Sequence, residues 1–184
     1  MDIYLRNGQL IDLAKANEEK WRVTKFFLGL CLLASYTFGF AWKHTWYFVR
    51  HFEKQLGDNP SLTVTGKARA EALAAFFSDK PLNSVYSTDY NRTRETAAPV
   101  AALKSVDIQS YDPHNLAGFA IKLKTQDHVL VVGHSNTTPH ILSLMGGENI
   151  KIKENDYGIV YKLQKQQSQH TTQNIHIPLQ WFTF

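Results

Sequence analysis

Residues 129–136 read Val-Leu-Val-Val-Gly-His-Ser-Asn, a short unbroken aliphatic run that ends in glycine and delivers a histidine. An apolar run of this length, bounded by a turn former, is the pattern of a buried strand, and it is the clearest strand in the chain. A helix is expected from about Thr138 to Leu144, stopped by Gly146-Gly147. Upstream, Trp46-Tyr47-Phe48-Val49 reads as a second buried strand; it ends in Arg50-His51 and is followed by the turn formers Gly57-Asp58-Asn59-Pro60. Thr65 is expected to cap the alanine-rich helix that begins Gly66-Lys67-Ala68. Further strands are expected at 83–87 and 107–111, with helices at 92–103 and 115–124. Closing strands are expected at Ile159–Leu163 and Ile175–Leu179, and the polar stretch Gln164–Gln173 between them reads as a loop or hairpin tip. Alternating strands and helices predict an α/β domain: a three-layer α/β/α sandwich with a largely parallel sheet.

At 184 residues the chain has room for one such domain and a modest N-terminal appendage. A net charge of +4 suits anionic ligands, but the lysines and arginines are scattered and form no block, so a nucleic-acid partner is not expected. The single cysteine, Cys31, excludes an intrachain disulfide and a structural zinc site built on several thiolates.

The N-terminus departs from this pattern. Residues 26–42 carry no charge, with Lys20, Arg22 and Lys25 just before them and Lys43 just after. The run is barely long enough for a membrane-spanning helix, which needs roughly 17–25 apolar residues. It also resembles a signal peptide whose small-x-small site would be Gly39-Phe40-Ala41. Either reading divides the chain into a segment at 1–25, a signal peptide or anchor at 26–42, and a domain at 45–184. The domain is then expected outside the cytoplasmic membrane, periplasmic or tethered to it. Asp2, Asp12, Glu18 and Glu19 make an unusual signal n-region, which favours an anchor or a true start near Val23. A buried core helix is the third alternative.

In open α/β sheets ligands bind beyond the carboxyl ends of the strands. Three such ends carry Arg50-His51, the segment Ser87–Arg92, and Gly133-His134. Two guanidinium groups and two imidazoles at one sheet edge suit phosphate. Guanidinium pairs with phosphate oxygens bidentately and stays charged, while imidazole can attack phosphorus or donate to an oxygen.

Together these segments resemble the histidine phosphatase (phosphoglycerate mutase-like) superfamily. Val49–Lys54 is similar to its Arg-His signature, Leu62–Gly66 to its Leu-Thr-x-x-Gly segment, Ser87–Ala97 to its second-arginine motif and Val132–Ser135 to its second-histidine motif. The resemblance implies a two-step, metal-independent phosphatase without cofactor, in which His51 takes the phosphoryl group. Arg50, Arg92 and His134 would hold its oxygens. The mutase-type relatives supply an acid after the third strand, which makes Asp112 the candidate here, with a turn role as its alternative; Glu53 is a second candidate.

Two departures accompany the resemblance. Phe52 stands where many relatives have a small residue, and the short spacing from Arg92 to His134 leaves no room for a cap insertion. An open site favours phosphatase over mutase and would admit a phosphorylated small molecule or a phosphoprotein. A catalytically weak phosphate-binding module and a structural tether are the rival functions. His44, His128, His140, His170 and His176 share no ligand spacing and are expected to be ordinary surface or packing residues, with His114 distinguished only by its neighbour Asp112. Trp181, Phe182 and Phe184 are expected to pack at the chain end.

Overall fold

The computed structural model describes residues 3–6, 9–12 and 43–179. The chain divides into two units, residues 1–41 and 42–184. In the first, strands β1 (Ile3–Arg6) and β2 (Gln9–Asp12) form an antiparallel hairpin, which the sequence reading did not anticipate. The apolar helix expected over 26–42 and the aromatic residues at 181–184 lie outside the described residues. Among the described residues, no helix is long and apolar enough to cross a membrane.

The second unit is a six-stranded sheet in the order β5-β4-β6-β3-β7-β8. Its strands are β3 (Lys43–Arg50), β4 (Ser84–Ser87), β5 (Ile108–Ser110), β6 (Val129–Gly133), β7 (Ile159–Gln166) and β8 (Gln169–His176). β5, β4, β6 and β3 run parallel; β7 and β8 complete the sheet as antiparallel neighbours. Four helices cover it: α1 (Val64–Phe77), α2 (Asn91–Lys104), α3 (Leu116–Leu123) and α4 (Thr137–Leu144).

The period of the strands sorts the core into two layers. Tyr47 and Val49 of β3 face a cluster with Leu73 and Phe77 of α1 and Ala97 and Val100 of α2. Trp46 and Phe48 face the opposite cluster, with Phe119 and Leu123 of α3 and Ile141 and Leu142 of α4. The strand order accounts for this division. From β3 the chain moves outward to β4 and β5, then reverses to insert β6 between β4 and β3. Right-handed crossovers put α1 and α2 on one face, and the reversal sends α3 to the other. That reversal sets the ends of β3 and β6 side by side, with Arg50 in register with Gly133.

Two local expectations are corrected. The N-cap of α1 is Thr63, not Thr65: its hydroxyl accepts from the Gly66 N–H at 3.1 Å. Gly66 lies so close to the carbonyl oxygen of Glu53 that an added Cβ would collide with it, which fixes where the helix enters. The polar stretch 164–173 is mostly strand, with the turn confined to residues 167–168. β8 is an edge strand, so its polar side chains meet solvent on both sides and leave no apolar alternation to read.

Candidate active site

Arg50 closes β3, and the His51 N–H extends the ladder by donating to the Gly133 carbonyl at 2.9 Å. Both residues are only 3% exposed, unusual for such polar side chains. The next side chain, Phe52, is wholly buried in the α1/α2 layer, so the bulky residue after the signature histidine packs away from the site. Its N–H donates to Thr96 Oγ1 at 3.1 Å. His51 Nδ1 lies 2.8 Å from the Phe52 carbonyl oxygen. A carbonyl can only accept, so Nδ1 carries the hydrogen and Nε2 the lone pair.

His134 follows β6, and its N–H donates to Thr137 Oγ1 at 2.8 Å. Gly133, just before it, has no room for a side chain, because a Cβ there would press on Thr137 Oγ1 and Tyr111 Oη. His134 Nε2 is 2.9 Å from Thr88 Oγ1, and its Nδ1 is 3.4 Å from Nη2 of Arg92. Arg92 comes from the first turn of α2, with its guanidinium carbon 4.6 Å from the Tyr90 ring centroid. The rings of His51 and His134 are 5.6 Å apart.

These four side chains line one open cavity of about 450 Å³, with Tyr90 and Glu154 among the other walls. Burial, first of all, holds His51 down at about 3, with Arg50, His134 and Arg92 adding to the effect against the Phe52 hydrogen bond. Burial and then the two arginines hold His134 down at about 4. Both imidazoles are therefore neutral near pH 7. Burial also lowers the Arg92 guanidinium. The Nε atoms of Arg50 and Arg92 are buried with no acceptor among the described residues, and an anion would supply one.

The two carboxylates named from sequence lie elsewhere. Asp112 is exposed, accepts from the His114 N–H at 2.8 Å in a tight turn, and lines an adjoining cleft with Pro113 and His114. Glu53 is held by Arg69, whose Nη2 approaches Oε1 at 2.6 Å and whose Nε approaches both oxygens at 3.1 Å. That pair ties the loop after β3 to α1.

The sequence reading missed Glu154 and Tyr157. Arg50 Nη1 donates to the carbonyls of Lys153 and Glu154, each at 2.7 Å, and Nη2 stands 3.2 Å from Glu154 Oε1. Tyr157 stacks on the same guanidinium, 4.5 Å from its carbon to the ring centroid. Both residues come from the irregular segment before β7, where no periodicity marks them. The available signal was its place before a strand that flanks β3.

The model of the histidine phosphatase superfamily (branch 1) matches residues 46–113. No curated protein matches the chain. Among solved structures, the protein histidine phosphatase SixA complexed with tungstate aligns with a TM-score of 0.58 at 14% identity, over 72% of this chain and 96% of that one. The alpha-ribazole phosphatase from Shigella flexneri gives 0.60 at 14%, over 73% and 96%. A phosphoserine phosphatase variant from Entamoeba histolytica, in complex with phosphoserine, gives 0.57 at 12%, over 74% and 98%. At such identities the likeness speaks to fold alone, a three-layer α/β domain with this sheet. Together with the match over residues 46–113, it makes the chain similar to the histidine phosphatase superfamily (branch 1).

Proposed function

We propose that the chain is a phosphomonoesterase acting through a phosphohistidine on His51, without a metal. The observation that carries this reading is the His51 ring: neutral, locked by Phe52 into the tautomer that leaves Nε2 nucleophilic, and set in one cavity with Arg50, Arg92 and His134. Nε2 attacks phosphorus in line as the ester oxygen departs, and water then attacks the phosphohistidine to release inorganic phosphate. Arg50 and Arg92 offset the charge on the non-bridging oxygens; His134 donates to them once the bound anion favours its protonated form.

The open cavity suits a phosphorylated side chain as well as a small ester. That similar folds include phosphatases solved with tungstate and with phosphoserine supports a phosphate-class ligand. The cationic flank and apolar run of residues 20–42 support export or anchoring, with the domain outside the cytoplasmic membrane; fractionation and N-terminal sequencing test that placement.

The test is covalent labelling. Brief exposure to a radiolabelled phosphate ester should give an acid-labile, base-stable adduct that His51→Ala abolishes, while turnover persists in EDTA. An adduct that survives in His51→Ala would show that another residue is the nucleophile. Phosphate binding without turnover of even an aryl phosphate would make the domain a binding module.

A further inference from the structure

Cleaving an alkyl phosphate requires a proton for the departing oxygen, and the carboxylates near the site differ sharply in whether they can supply one. The Asp112 carboxylate accepts from its own turn and faces the adjoining cleft. Glu53 is locked on Arg69. Glu154 is the one carboxylate among the described residues that line the cavity with His51, and its side chain is 71% exposed, at the mouth. A leaving group expelled in line from a buried nucleophile departs toward the mouth. We propose that Glu154 is the proton donor to the leaving group, relaying a proton that the substrate brings. This rests on the phosphomonoesterase reading.

The attachment of Glu154 fits such a role. Its backbone is anchored by Arg50 Nη1 through the carbonyls of Lys153 and Glu154. The turn is closed on itself: the Lys153 N–H donates to Asp156 Oδ2 at 2.8 Å, and the Asp156 N–H to the Lys153 carbonyl at 3.0 Å. The Glu154 carboxylate reaches Nη2 at 3.2 Å, and the same nitrogen donates to the Tyr157 hydroxyl at 3.5 Å. A phosphoryl group arriving at Nη2 therefore competes with the carboxylate and the longer Tyr157 bond, while the backbone bonds to Nη1 keep Glu154 at the site when its side chain is displaced.

Displacement changes the chemistry of the carboxylate. It leaves its guanidinium partner and faces the phosphoryl oxygens. A phosphate ester, whose second ionisation lies near pH ~6, brings the proton when it binds as the monoanion. In the first step the His51 Nε2 lone pair forms the N–P bond. The P–O ester bond breaks toward oxygen, and the Glu154 proton goes to that oxygen, releasing the alcohol. In the second step a water oxygen attacks phosphorus and its proton passes to the Glu154 carboxylate. The N–P pair then returns to His51.

The test compares p-nitrophenyl phosphate, whose leaving group needs little protonation, with an alkyl phosphate, using the full-length chain. In Glu154→Gln, kcat for the alkyl ester should fall by roughly 10²–10⁴-fold, the usual contribution of a general acid, while kcat for the nitrophenyl ester changes little. Asp112→Asn should leave both unchanged. Equal losses on both esters, or a lower KM with kcat intact on both, would overturn the assignment by reducing Glu154 to a positioning group or a simple competitor for Arg50. A leaving-group-dependent loss in His114→Ala but not in Glu154→Gln would overturn it in favour of His114. Absence of any turnover by the wild type would instead defeat the phosphomonoesterase reading beneath it.

Discussion

Thr88 Oγ1 lies 2.9 Å from Nε2 of His134 and 3.0 Å from Thr93 Oγ1, to which it donates. The Thr93 hydroxyl in turn reaches the carbonyls of Thr88 and Tyr90, both at 2.9 Å. Because Thr88 spends its hydrogen on Thr93, it accepts from His134, which puts the imidazole hydrogen on Nε2 and the lone pair on Nδ1, toward Arg92. Two hydroxyls, one just after β4 and one in α2, thus set the tautomer of the residue that follows β6.

Replacing Thr88 with Val keeps the shape and removes the acceptor. An unpaired buried donor costs about 1–3 kcal/mol, so kcat/KM for an aryl phosphate should fall about 10–100-fold with the circular dichroism spectrum unchanged. Nitrogen-15 spectra of the His134 ring should show the tautomer preference lost. Unaltered ring shifts and kinetics would mean that the chain of hydroxyls does not govern His134.

Acid should destabilise the domain through its two buried imidazoles. Their folded-state values, about 3 for His51 and about 4 for His134, lie below the ordinary histidine value near 6.5. Between those limits the unfolded chain binds more protons, so stability is full above the unfolded value and declines as pH falls toward the folded ones. From pH ~7 to pH ~5, His51 alone accounts for about 2 kcal/mol. Urea midpoints should drop over that interval, and less so in His51→Gln; parallel curves for the two proteins would contradict the assigned burial effect.

Phe52 belongs to the core and not to the pocket wall. Phe52→Ala should cost about 3–5 kcal/mol of stability. Phe52→Leu should retain most of the stability and leave KM for phosphate esters where it was. A large KM change in Phe52→Leu, at temperatures where it is folded, would show that the ring shapes the site after all.

Glu53 should matter for stability alone. Glu53→Gln leaves the partly buried Arg69 without its counter-ion, and Tm should fall while kcat for aryl and alkyl esters stays the same. Loss of alkyl-ester turnover alone in this variant would return Glu53 to the list of proton donors.

Most of the layer architecture could be read from the chain, because buried strands such as 46–49 and 129–133 are continuous apolar runs separated by alanine-rich or amphipathic segments long enough for helices. The meeting of Arg50, His51, Arg92 and His134 was legible because each stands at a strand end or at the start of the following helix, where the fold fixes its position. What escaped detection depends on long-range pairing. Glu154 is brought to Arg50 by backbone bonds that no local pattern encodes. Glu53 reads as a catalytic carboxylate until its partner Arg69, a full helix turn into α1, is seen beside it. Polar composition pointed to a loop at 164–173 because a solvated edge strand and a loop select the same residues.

That edge has a consequence for how copies of the protein coexist. A terminal strand exposes a row of unpaired backbone donors and acceptors and invites a neighbouring chain to add on. In β8 the side chains are glutamine, threonine, asparagine and histidine apart from Ile175, which packs against the core, and stripping water from the polar ones returns little. An added strand would therefore gain backbone pairing at this edge but little apolar burial.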